Sequence, residues 1–429
     1  MWPLVEIPPD WVLPNAAVVN WVFPNNTHIH WTLMVVIYPY ITGLVAGAFV
    51  VSSLYHVFHV ENFKGISNFA LIATLCFGCF AATPLLFHLG QPQRAFEIYS
   101  TPHLTSAMSI FGYVYGSYML LLMVEVWLTY RKYFIERAVR TTGIPRMFWI
   151  TLTLGITEYT PESTRVDHHA TIFLAAVGIP LAFLLHGYVG FVFGSVKANV
   201  WWATPLQPLI FLLSAIASGI AMLLLLYTFI RWRARKPYDF GMIRWLMVFL
   251  WLAFILDITI ELLEVIYVRY EHGHHWSLIE PLLSGPLFYT YIIGQMLICA
   301  GIPLLIGGYI VMTRVSGKPL LYLANISCLL VVLQVLLMRF NIVIGGQMIS
   351  GSERGLSPFH FEFFAKEGVL TAMILLSMPF ILYFIISRFI PIFDDMPLAR
   401  HVPGNSPGIV KPRTENGTAP SSSPWRHSS

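Results

Sequence analysis

Along most of the chain the hydrophobic positions are continuous rather than periodic. Apolar runs of about 20 or more residues recur, separated by short stretches where Pro, Gly, Lys and Arg collect. A run of that length can cross a hydrocarbon core as a helix, the one single-segment structure that satisfies its own backbone in lipid. Nine spans follow, near residues 32–58, 68–88, 107–129, 170–194, 206–230, 243–268, 287–312, 319–344 and 367–390. Eight to ten is the range their less sharp ends permit. The pattern therefore predicts an all-α polytopic integral membrane protein, with its helices gathered in bundles. Segment 146–158 ("RMFWITLTLGITE"), inside the longest loop, is expected to lie on the membrane surface as a helix.

Composition agrees with the pattern. The 429 residues are 57% hydrophobic and 11% charged, where a soluble domain carries about 25% charged residues. No loop is long enough for a soluble domain, and nothing suggests a nucleic-acid partner. The first 30 residues hold no Lys or Arg, and their Pro and Trp interrupt any short apolar core, so no export signal is expected there. The cationic residues sort by side. Alternate loops and the C-terminal end hold 19 of the 25 Lys and Arg, the opposite loops hold 5, and Arg339 is left inside a span. The positive-inside rule then places the N-terminus outside and the C-terminus in the cytoplasm. This divides the chain into an extracytoplasmic segment 1–30, a transmembrane domain 31–392 and a Pro-, Ser- and Gly-rich tail 401–429 expected to be disordered.

Orientation gives depths to the polar residues within the spans. "ILDITIELLEVIYVRYEHGHHW" carries Asp257, Glu261 and Glu264 at helical spacings of four and three, which puts all three carboxyls on one stripe. Each acid costs about 2.5–3.5 kcal/mol to place near the bilayer centre. Such a cost points to a function in proton transfer or charge balance. Arg339 ("LLMRFNIVIGGQ") lies at similar depth, and so do His186 and Tyr188 ("FLLHGYVGF"), Tyr38 and Tyr40, while His88 closes the second span at the outer surface. Glu125, near the inner end of the third span, is the exception. An outer-half cluster suits a quinone. Its two oxygens need hydrogen-bond partners, its redox change moves two protons to titratable groups, and its tail needs an opening to lipid. The candidate quinone residues are Tyr38, His88, His186 and Tyr188. The plainer reading is that Arg339 forms a buried ion pair with an acid of the sixth span and fixes packing. No metal site is expected: the four cysteines form neither a haem-attachment motif nor a cluster set, and the Cys76–Cys79 pair sits inside an apolar run, where packing explains it.

Several longer stretches carry a family likeness. "HLGQPQRAFEIYSTPHLTSAMSIFG" follows the second span, "YITGLVAGAF" lies in the first, "LLHGYVGFVFG" precedes "WWATPLQPLIFLLSAIASG", and "MRFNIVIGGQ" leads to "FAKEGVLTA". In this order the motifs resemble the NrfD/PsrC family, the membrane subunits of polysulfide reductase and its relatives, over roughly residues 31–390. The "RFNIVIGGQ" run and the span count look most like DsrP-type subunits. The resemblance implies a subunit exchanging electrons between a quinone pool (menaquinone or ubiquinone) and an extracytoplasmic ferredoxin-like iron–sulfur subunit. Further redox subunits would complete a complex in a prokaryotic cytoplasmic membrane, serving sulfur-compound respiration. Iron–sulfur clusters would then belong to the partner. By position Tyr188 matches a tyrosine near the quinone in the polysulfide reductase branch. That branch's asparagine and histidine of the first span are replaced here by Val35 and Tyr38, and its Ser-Pro-Met-Ser reads Ser106-Ala107-Met108-Ser109.

Two other classes compete. A proton or ion transporter would use Asp257, Glu261 and Glu264 as coupling sites, but the corresponding halves lack paired broken helices. A haem anchor needs two axial histidines deep in facing spans, and His186 alone is clearly deep.

Overall fold

A computed structural model describes residues 29–351, 353 and 355–393. The tail 401–429, and the N-terminal segment up to residue 28, lie outside the described residues. Within them the chain is helical throughout, with one isolated β-bridge, Ile349–Leu356. In order the α-helices are α1 (Leu33–His56), α2 (Lys64–Ala81), α3 (Thr83–His88), α4 (Glu97–Ser100), α5 (Ala107–Arg140), α6 (Ile144–Leu152), α7 (Pro161–Gly194), α8 (Gln207–Arg233), α9 (Phe240–Glu271) and α10 (His274–Ser284). A π-helical segment, Phe288–Gly301, runs into α11 (Ile302–Met312), followed by α12 (Gly317–Met348) and α13 (Val369–Ile386).

Nine candidate membrane spans result among the described residues, close to those expected from the sequence. The second is two helices. α2 stops at Ala81 and α3 restarts at Thr83, with Pro84 near the start of the new helix, where a missing N–H costs nothing. α5 and α7 are longer than the lipid requires. Their polar ends, carrying Arg137 and Arg140 on α5 and Glu162 and Arg165 on α7, continue past the apolar windows. Between them α6 lies near the expected surface segment, ending before Leu154 and Gly155, both in left-handed conformation. Trp127 Nε1 of α5 donates to the Leu152 carbonyl at 2.7 Å and ties it down, while Ile144, Met147 and Phe148 remain exposed.

α1 is buried along almost its whole length, against α2, α7, α8 and α12. A helix apolar on every side belongs in the middle of a bundle. In lipid its packing cannot rely on a solvent-driven hydrophobic effect, so close contact matters more. α1 meets α8 at Gly47 and Gly219. A Cβ on Gly47 would overlap the Ala215 carbonyl and Gly219, and a Cβ on Gly219 would overlap the Gly47 backbone. The crossing requires glycine. Helices α9, α11 and α13 turn many leucines, isoleucines and phenylalanines outward instead, as a lipid-facing surface demands.

One end of the bundle is poor in Lys and Arg; α1 begins there. At that end the loop 195–206 packs on the end of α12. Trp201 Nε1 donates to the Asn341 carbonyl at 3.1 Å, Trp202 Nε1 to Ile342 at 2.6 Å, and Asn199 Nδ2 to Gly346 at 2.8 Å. A side chain at Gly346 would collide with the Trp202 indole. Gln347 exchanges two hydrogen bonds with the backbone of Trp31, and Trp31 stacks on Trp202 at 4.9 Å. The "WWATP" and "IGGQ" stretches, some 140 residues apart, thus make one closure.

Candidate functional site in the cation-poor half

α9 starts with Asp239 accepting from the Met242 N–H at 3.0 Å, then runs unbroken to a left-handed cap at His272. Its regular winding keeps Asp257, Glu261 and Glu264 on one stripe, facing the π segment, α12 and the loop before α8. Asp257 is fully buried, and neither carboxyl oxygen has a hydrogen-bond partner. Glu261 is buried and accepts from Gln295 Nε2 and, at 3.5 Å, from Gln334 Nε2. Gln295 in turn accepts from Asn341 Nδ2 at 2.7 Å. Four side chains from three elements make a polar chain in an apolar interior. Glu264, half-buried, stands at its outer end.

There the stripe meets an open cavity lined by side chains of the loop before α8, α8, α9, α10, the π segment and α12. Trp201, Trp276 and Tyr291 supply flat walls, and Glu261, Glu264, Gln207 and His275 supply polar ones. Gln207 is buried, yet its Nε2 has no acceptor.

Arg339 is fully buried but does not join the acids. Among the described residues no carboxylate lies within 4 Å of it. Its Nη2 instead donates to Ser214 Oγ at 2.7 Å, to His186 Nε2 at 3.1 Å and to the Phe211 carbonyl at 3.3 Å, and the guanidinium lies 3.7 Å from the Phe211 ring centroid. Guanidinium groups only donate, so His186 Nε2 accepts, and the ring hydrogen is assigned to Nδ1, which has no partner. The ion pair expected as the plainer reading of Arg339 is therefore not formed. Burial in contact with an aromatic face and three acceptors holds the cation instead.

The remaining quinone candidates stand apart from one another. Tyr38 is buried with its ring 5.4 Å from Phe111. His88 Nδ1 pairs with Glu367 at 2.8 Å, and Glu367 also accepts from Thr32 Oγ1 at 2.5 Å. That pairing joins α3, the cap of α1 and the approach to α13. Tyr188 is half-exposed against Phe191 at 5.2 Å. His186 alone touches the deep charged group, and no described cavity collects the four. The amides Gln207, Gln295, Gln334 and Asn341 were not among the candidates, although their position inside apolar runs was visible. No group of three or more potential metal ligands occurs among the described residues.

The structure is that of a polytopic helical membrane bundle with acids, amides and an arginine buried in its spans. The family "Polysulphide reductase, NrfD" matches residues 21–351, and the chain belongs to it. A selenate reductase subunit of Mesobacillus selenatarsenatis is 32% identical over 384 residues, 84% of this chain and 86% of that one. Protein NrfD of Escherichia coli is 24% identical over 326 residues, 73% of this chain and 94% of that one. The protein is thus a multi-pass membrane subunit of the kind found in multi-subunit oxidoreductases.

Proposed function

We propose that this subunit links a quinone pool to an extracytoplasmic ferredoxin-like iron–sulfur subunit, within a larger complex that respires oxidised sulfur or related oxyanions. The carrying observation is the polar chain that runs from the Glu264 cavity through Glu261 and its amides toward Asp257. A quinone supplies two-electron chemistry coupled to two protons. The chain's part is to hold the ring and exchange those protons within a water-poor bundle. Buried carboxyls with an opening to one surface suit that task, and their cost in an apolar bundle argues for a function.

The residues present fit such a group. Donors, titratable groups and flat apolar walls meet near one membrane surface, and His186 with its free Nδ1 offers a further donor deeper in. The loops near 89–106 and 345–366 give the partner a landing surface. Phe96, Leu104, Phe361 and Phe364 are exposed there, beside the exposed Arg94–Glu97 pair. In this reading the cation-poor end faces outward from a prokaryotic cytoplasmic membrane, and the tail after residue 390 is cytoplasmic. The relative named for selenate reductase extends the terminal acceptors from sulfur compounds to selenium oxyanions.

Affinity purification of the tagged chain from its native membranes tests the reading. The expected result is a complex showing iron–sulfur paramagnetic signals when reduced, and electron exchange with a short-chain quinol. A chain that purifies without iron–sulfur partners and is redox-silent toward quinols would overturn it.

A further inference from the structure

We propose that the cavity beside Glu264 is the seat of the quinone ring, with Gln207 as donor to one ring oxygen and Glu264 exchanging the proton of the other. This rests on the quinone-linked reading above and moves the chemistry from Tyr38, His88, His186 and Tyr188 to the space between the start of α8, the end of α9, α10 and the π segment.

Three independent features converge. The walls come first. Trp201, Trp276 and Tyr291 give flat apolar surfaces, and aromatic rings prefer such surfaces in offset or edge-on contact. Next is the donor. Gln207 is 3% exposed and lines the cavity, but its Nε2 lacks an acceptor. Its place is held tightly. A Cβ on Gly190 would strike the Gln207 carbonyl, and one on Gly194 would crowd the Gln207 Cβ, so glycine at both lets α7 press against this turn. A buried N–H kept in place without an acceptor is a donor awaiting one.

The third feature is the winding of the wall opposite. The π segment Phe288–Gly301 presents Tyr291 to the cavity and Gln295 to Glu261. Departures from α-helical winding are concentrated at functional sites. Glu261 is engaged by two amides, while Glu264, held by the Thr204 side chain of the same wall, is the carboxyl facing the cavity for exchange. When the ring is oxidised, an O–H bond breaks and its proton passes to the Glu264 carboxylate. The second proton leaves past His275, and the two electrons go to the iron–sulfur partner. The Val265 and Val268 edge of α9 lies beside exposed Leu262, Ile266 and Tyr267, giving an isoprenoid tail an apolar route outward.

The test is photolabelling of the assembled complex in native membranes with an azido-substituted short-chain quinone. Mapped label is expected on peptides spanning 198–210 or 261–291. Gln207→Leu should raise the half-saturating concentration about tenfold, the loss of one good hydrogen bond. Ile279→Trp, which fills the cavity from α10, should abolish labelling while the complex still assembles. Label on the peptides of Tyr38, His88, His186 or Tyr188 would overturn this location and leave the quinone reading standing. Labelling at the cavity that is unchanged in both variants would overturn the assignment of Gln207 and the ring pose. An intact iron–sulfur complex that takes no label competed by unmodified quinone would overturn both.

Discussion

Asp167 and Asp257 are both aspartates buried in long membrane helices, and they are handled in opposite ways. Asp167, on the cation-rich half of α7, accepts from Arg131 Nη1 at 2.7 Å, and the arginine also lies over the Trp127 ring. Asp257, on α9, has no hydrogen-bond partner, although a buried arginine sits in the same half of the bundle and turns to His186 and Ser214 instead. The first carboxylate is cancelled by a cation and fastens α5 to α7. The second is left without a hydrogen bond one turn from Glu261, whose own partners are amides. Buried acids in one protein can thus be cement or chemistry, and what separates them is whether the nearby cation is spent on them.

The strongest test of that contrast is to break the cement. Arg131→Ala leaves Asp167 buried and unpaired, so it should cost about 3–5 kcal/mol. The measurement is thermal unfolding of the detergent-solubilised complex, and Arg131→Gln with Asp167→Asn should recover most of the loss. A fall no larger than that of an average surface change would mean the pair is ornamental.

The next effect is on turnover rather than stability. Glu261→Gln preserves shape and one amide contact. It should lower quinol oxidation by roughly 10²-fold, as for a lost acid–base group, while costing about 1 kcal/mol of stability for a lost hydrogen bond. If yield collapses and the surviving protein turns over normally, the α9 stripe is cement too.

A smaller effect sharpens the role of Arg339. In a double-mutant cycle, Glu264→Gln and Arg339→Gln should couple by less than about 0.5 kcal/mol, since the groups share no contact. His186→Ala and Arg339→Gln should couple by about 1–3 kcal/mol, because they do. Stability of the four proteins in each cycle decides it, and reversed magnitudes would restore an Arg339–acid pair.

The smallest expected change in the chain itself belongs to the exposed Arg94–Glu97 pair. Arg94→Glu should leave its unfolding unaltered, as for most surface pairs, and reduce recovery of the iron–sulfur partner in pull-downs. Unchanged recovery would move the docking surface away from the loop at 89–106.

The contrast also shows where sequence reading reaches its limit. Spans were legible because lipid imposes a minimum apolar length that hydropathy reports directly. α5 nevertheless runs to Arg140, well past the expected end near 129, because a helix continues as long as its backbone is satisfied, in water as in lipid. The α9 stripe was legible because an uninterrupted α-helix keeps residues four and three apart on one face. The choice made by Arg339 was not legible. That choice depends on α8 bringing Ser214 and Phe211 within reach of α12, and the Gly47–Gly219 crossing that seats α8 against α1 is a tertiary fact. The amides escaped for another reason. Gln295 and Gln334 carry no charge and so stand in their runs as single neutral polar residues, yet in the fold they are Glu261's donors.

The π segment behaves as a phase shifter. Over Phe288–Gly301 each turn accommodates more residues than an α-turn, so the helix leaving it is rotated relative to an α-helix of the same sequence. Deleting a single residue within it while the winding is kept would turn everything downstream by one residue's step, roughly 100° in an α-helix. Some of the elements now turned toward Tyr291's cavity, Glu261 and the α12 amides would then face lipid. No substitution of a side chain in this wall would have so wide a reach. The spacing of this segment, more than the identity of most of its residues, is what the site can least tolerate losing.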